Sequence, residues 1–128
     1  MRHFISLEAA IALTTAYRKN REVILDPAYR NRNVLPLSET FDRAAFDAVL
    51  QQEGCEKLRI YFGMDEKQAV HAVIVGVNAK GEDMLPERSV SNKGLANSEG
   101  EDEGDDNNII EVGIRCPPEC PPPSGLNP

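Results

Sequence analysis

Apolar residues first recur at helical spacing near the start of the chain. Leu7, Ala10, Ile11, Leu13 and Tyr17 form a broad apolar face, which predicts a helix from Leu7 to Asn20. Ser6 precedes it and can cap a free N–H of the first turn. Glu8 in that turn and Arg18, Lys19 and Arg21 at the far end both suit the helix dipole. Asp26-Pro27 then breaks the apolar chain Val23-Ile24-Leu25. A second helix is expected over Phe41 to Glu53, capped by Ser38 or Thr40. Phe41, Ala45, Phe46, Val49 and Leu50 line its apolar side, and Gly54 stops it.

From Leu58 the period changes to two. Leu58, Ile60, Phe62 and Met64 alternate with Arg59, Tyr61 and Gly63, the pattern of a strand with one core face. After the polar break Asp65-Glu66-Lys67-Gln68, the segment Ala69 to Asn78 is apolar on both faces, as in a central strand. The two strands should form an antiparallel hairpin. Gly63 and Gly76 inside them mark a bulge, a close approach, or room for a helix. Alternation resumes from Ile109 to Arg115, predicting a third strand beside the hairpin.

Helices before strands argue an α+β fold: two N-terminal helices packed on a three-stranded antiparallel sheet. The expected organisation is a helix-helix-hairpin core over 1–86 and a flexible acidic loop over 87–108. The third strand of the same domain follows over 109–116, then a proline-rich tail over 117–128.

Composition changes this picture in one respect. The net charge is -7, an unfavourable balance for nucleic-acid binding. Glu99, Glu101, Asp102, Glu103, Asp105 and Asp106 carry six of those charges, so the rest of the chain is close to neutral. That acidic run does not fit the twelve-residue calcium loop in either register that places a glycine or the closing Glu correctly. No apolar run reaches the ~20 residues of a membrane span. The segment Met1-Arg2-His3-Phe4-Ile5 lacks the continuation of a signal peptide, so a cytoplasmic protein is expected.

The tail Arg115-Cys116-Pro117-Pro118-Glu119-Cys120-Pro121-Pro122-Pro123 is the sharpest local feature. Its prolines remove backbone donors and predict an extended, polyproline-like segment. Cys116 and Cys120 could bind zinc only with further ligands, for which His71, His3 and Cys55 are the candidates. A disulfide between them faces stiff intervening prolines and a reducing cytoplasm. The plainer expectation makes both cysteines small apolar anchors. A pre-restricted proline segment is also a docking element, which makes Cys116, Pro117, Pro118, Cys120 and Pro121 the partner-binding candidates.

The basic residues Arg18, Lys19, Arg21, Arg30 and Arg32, with Tyr17 and Tyr29, could face phosphate or an acidic partner. No glycine-rich phosphate loop accompanies them. His71 lies among valines and reads as an interior histidine; an enzyme site built on it would draw on Tyr61 and Glu111. No nucleophile signature is present, and no catalytic residue or cofactor is assigned.

The segments Ser38-Glu39-Thr40-Phe41, Leu58-Arg59-Ile60-Tyr61-Phe62-Gly63-Met64, Val70-His71-Ala72-Val73-Ile74-Val75-Gly76-Val77 and Arg115-Cys116-Pro117-Pro118-Glu119-Cys120-Pro121 resemble a family of small uncharacterised bacterial proteins. The resemblance implies a compact bacterial cytosolic unit and assigns no site. The leading expectation is therefore a non-enzymatic protein acting through protein–protein contact, by the tail or by a sheet edge that could also pair two copies. The alternatives are a metal or redox module using Cys116 and Cys120, and an enzyme with a site near His71.

Overall fold

The computed structural model describes residues 2–86 and 109–128. The expected acidic loop lies outside the described residues. The chain divides into two compact units. The first takes Met1–Glu39, Met64–Val70 and Ile114–Pro128; the second takes Thr40–Gly63 and His71–Gly113.

The first unit is built on helix α1, Leu7–Asn20, the span that its apolar periodicity predicts. Ser6 Oγ accepts the Ala9 N–H at 3.0 Å, as an N-cap should. A 3-10 turn at Pro27–Tyr29 follows, where Asp26 accepts the Ala28 N–H. The chain then passes through two asparagines with positive φ, Asn31 at 62° and Asn33 at 56°. Asparagine tolerates this left-handed region better than most residues. Strand β1, Ser38–Thr40, pairs with the last strand, β6, Ile114–Cys116, in a two-stranded sheet.

The second unit holds helix α2, Arg43–Leu50, and a four-stranded sheet. Strands β2, Lys57–Met64, and β3, Val70–Val77, form the expected hairpin. Strand β4, Asp83–Met84, pairs with β3 through Gly76 and Val77. Strand β5, Ile109–Ile110, pairs antiparallel with β3 through Ile74 and Val75. The core joins Val49 of α2 to Ile74 and Ile110 of the sheet, with Phe41, Ala45, Phe46 and Leu58 packed around them. Gly76 makes the close helix approach possible. A Cβ there would stand 2.8 Å from Cys55 Sγ and 3.2 Å from a Val49 methyl.

Two parts of the expected architecture are corrected. Among the described residues there are two sheets rather than one of three strands. The predicted third strand breaks at Glu111-Val112-Gly113, where the Gly113 N–H donates to the Glu111 carbonyl. A Cβ at Gly113 would meet the Phe41 ring at 2.7 Å, so the ring occupies the space that a side chain would need. Ile109–Ile110 consequently stays with β3, while Ile114–Cys116 pairs with β1. Helix α2 supplies the second unit's buried cluster, and α1 belongs to the first unit.

Candidate functional site

The first unit concentrates the features that point to function. Its tail does not run extended. Cys116 and Cys120 are joined by a disulfide, with Cα atoms 4.5 Å apart. Four residues of polyproline helix would span about 12 Å, so the two geometries exclude each other. The Glu119 N–H donates to the Arg115 carbonyl at 3.0 Å and closes the turn. The bonds Cys116–Pro117 and Pro117–Pro118 are both cis. Cys116 is buried, whereas Pro118, Cys120 and Pro121 are exposed and Pro117 is half-buried.

Both ends of this loop are anchored. At its root, the Leu37 N–H donates to the Cys116 carbonyl at 2.7 Å. The Arg115 guanidinium donates to the Val70 and Asn33 carbonyls. At its far end, Arg18 of α1 donates to the Leu126 carbonyl at 2.9 Å, and Gly125 lies against Ile11. Asn127 donates to the Pro121 carbonyl. The exposed prolines are thus held out on a loop tied at both ends.

Beside α1 is an open recess of about 450 Å³, lined by Arg18, Arg21, Glu22, Asn31, Asn33 and Leu37. Arg21 pairs with Glu22 at 2.6 Å. The other Glu22 carboxylate oxygen accepts the Asn31 N–H at 2.7 Å. That backbone bond, foremost, holds the Glu22 carboxyl below its ordinary pKa, with Arg21 adding to it. Tyr17 donates to the Pro36 carbonyl at 2.7 Å, and burial raises its pKa. The remaining expected basic residues bind their own chain. Arg30 donates to the Leu25 and Val23 carbonyls, and Arg32 to Ala28 while lying over the Tyr29 ring. Lys19 is exposed. These arginines chiefly satisfy carbonyls of an irregular segment.

The candidates of the second unit separate into two groups. His71 Nδ1 lies 3.4 Å from a Glu111 carboxylate oxygen. Tyr61 instead donates to Asp83, which also pairs with Arg59 at 2.6 Å. The Tyr61 hydrogen bond is the main reason that the Asp83 carboxyl sits below its ordinary pKa. Two of the three residues of the expected enzyme site therefore meet, and the third is engaged elsewhere. Cys55 sits at Gly76 and takes no part in the disulfide. Among the described residues no group of three metal-ligating side chains converges.

Apolar burial separates the units further, although both expose large apolar side chains, Ile60, Phe62 and Val112 among those of the second. Among the described residues, the first unit buries only Val34 and Cys116, while the second buries Val49, Ile74, Val75, Val77 and Ile110. Phe4, Ile5, Leu7, Leu13, Val23 and Ile24 of the first unit are all exposed. On α1 the residues Ala9, Ala12, Leu13 and Ala16, at spacing i, i+3, i+4, i+7, all face solvent. This outer apolar face was legible in the sequence, because Ala9, Ala12 and Ala16 leave the helix few polar positions. The periodicity groups Leu13 with Ala10, Ile11 and Tyr17, whereas the structure places it on this outer face.

Comparison with known proteins found no matching family model, curated protein or solved structure. Among the described residues no helix is long and apolar enough to cross a membrane.

Proposed function

We propose that the chain is a non-enzymatic protein-interaction module and that its first unit makes the contact. One observation carries this reading: that unit buries two apolar side chains and exposes at least six larger ones. Apolar side chains left in water beside so small a core favour contact with a partner. The disulfide-closed loop supports the same reading. It presents Pro118 and Pro121 on a backbone ordered before any partner arrives, which lowers the entropy lost on binding. The other proposed element, the β2 sheet edge, carries exposed Ile60 and Phe62, but its unit has a core of its own.

The test is capture of partners in the producing cell with a photo-reactive residue at position 13 or 122, against position 80 in the second unit. Discrete adducts from 13 or 122 and none from 80 support the reading. Adducts from 80 alone, or from none of the three, reject it.

A thiol–disulfide module is the second reading, favoured by the pairing of Cys116 with Cys120. Cys120 is exposed and Cys116 buried, so an incoming thiolate would attack the Cys120 sulfur and leave Cys116 as the thiolate. Oxidation of a dithiol over many cycles, with oxidised glutathione supplied to re-form the Cys116–Cys120 bond, should stop in Cys120→Ser; no acceleration by the native chain over that mixture alone rejects it. A cytoplasmic location is retained as a proposal. It sits in tension with the disulfide, which an oxidising compartment preserves.

A further inference from the structure

We infer that the outer face of α1 is an interface with a second copy of this chain, the two helices packing antiparallel about a two-fold axis. The inference rests on the proposed interaction role of the first unit and names the partner. Helix α1 is apolar on both sides. Ala10, Ile11, Thr14 and Tyr17 are half-buried, while Ala9, Ala12, Leu13 and Ala16 face solvent. A helix apolar all round belongs in a buried setting, and here only one side has cover within its own unit. The three alanines make the outer face low. Two such faces can approach to the short end of the 8–10 Å range of helix separations, with Leu13 filling the centre.

Charge decides between this partner and others. Glu8 and Lys19 are both exposed and are eleven residues apart, which on a helix of 3.6 residues per turn places them on the same flank of the apolar stripe. They stand at opposite ends of that flank and have opposite sign. When two copies pack antiparallel, each flank meets the same flank of its mate running the other way. Glu8 of each chain then lies against Lys19 of the other, twice over. A register centred between Ala12 and Leu13 pairs Ala9 with the mate's Ala16 and Ala12 with the mate's Leu13; Glu8 and the mate's Lys19 are then about 3 Å out of step along the axis, within the reach of both side chains. It also sets each helix N-terminus beside the other's C-terminus, the favourable alignment of the two dipoles. Parallel packing would bring like ends together. The stripe is thus complementary to itself in one orientation, as an isologous interface must be. A pair of 14-residue helices is a small interface, so the dimer is weak and concentration-dependent.

Sedimentation equilibrium of the full chain over a concentration series tests this, with far-UV circular dichroism to check that each variant folds. The native chain should show a monomer–dimer equilibrium that Ala12→Glu abolishes and added salt weakens. Glu8→Lys and Lys19→Glu should each raise the dissociation constant about fivefold, because each turns two attractive pairs repulsive. The Glu8→Lys/Lys19→Glu double variant should return to within about twofold of the native value. A chain monomeric at all concentrations overturns the inference. So does a dimer indifferent to Ala12→Glu, or a double variant as weak as the single ones. If the monomeric outcome is joined by adducts from position 13, this inference falls while the wider interaction role stands.

Discussion

The Arg18 guanidinium donates to the Leu126 carbonyl across 108 residues of chain, joining helix α1 to the end of the tail. The bond is exposed, so its contribution to global stability is small, about 1 kcal/mol or less. Its effect is local. Arg18→Gln should leave the unfolding midpoint nearly unchanged while amide exchange at Leu126 and Asn127 speeds up. Unchanged exchange there would show that other contacts hold the tail.

Cys116 and Cys120 should respond differently to serine. Their loop is short, so its entropic contribution is at the low end for a disulfide. Cys120→Ser places a hydroxyl in solvent. Cys116→Ser buries one at a site only 1% exposed, at a cost of about 1–3 kcal/mol beyond that of its partner. Urea unfolding of the two variants measures the difference, and equal losses would contradict the buried position of Cys116.

Gly76 leaves no room for a side chain between strand β3 and the Val49–Cys55 segment. Gly76→Ala should destabilise by about 1–3 kcal/mol through overpacking against Cys55, Gln52 and Val49. Cys55→Ala removes the nearest atom, so the double variant should lose less than the sum of the single losses. Strict additivity in thermal unfolding would show that the sulfur is not the obstacle.

Acid should loosen the first unit through Glu22. The Asn31 N–H lowers the folded pKa of Glu22 below its unfolded value. The resulting stability is therefore complete above the unfolded pKa and is lost as pH falls through the folded one. At neutral pH the contribution is fully present. Glu22→Gln should flatten the acid side of the stability profile and leave its neutral-to-basic side unchanged in slope. An unaltered acid slope would remove Glu22 from the account.

The elements easiest to read from sequence were those with a long, unbroken period. Leu7–Asn20 and the β2–β3 hairpin have it, and Ser6 supplied the cap that it advertised. Ser38–Thr40 and Asp83–Met84 are too short for any period to register; the first pairs with a strand far along the chain, and the second turns back onto Gly76-Val77. The third strand splits where the Phe41 ring lies against Gly113, a tertiary contact that no local pattern carries. Periodicity likewise shows that a helix has an apolar face without showing what that face packs on. In the candidate site, the tail cysteines and prolines were legible as a unit. Their disulfide was weighed against free thiols, and burial of Cys116 with exposure of Cys120 depends on tertiary placement. Asn31 and Asn33 carried a usable signal, since asparagine is the commonest non-glycine residue in the left-handed region.

Hydroxyl-radical footprinting of the chain in its cell, compared with the purified chain at low concentration, tests the central claim most directly. Contact through the first unit predicts that Phe4, Ile5 and Leu13 become protected in the cell while Phe62, 77% exposed on β2, keeps its reactivity. Equal reactivity of Phe4, Ile5 and Leu13 in both settings, or protection confined to Phe62, would contradict it.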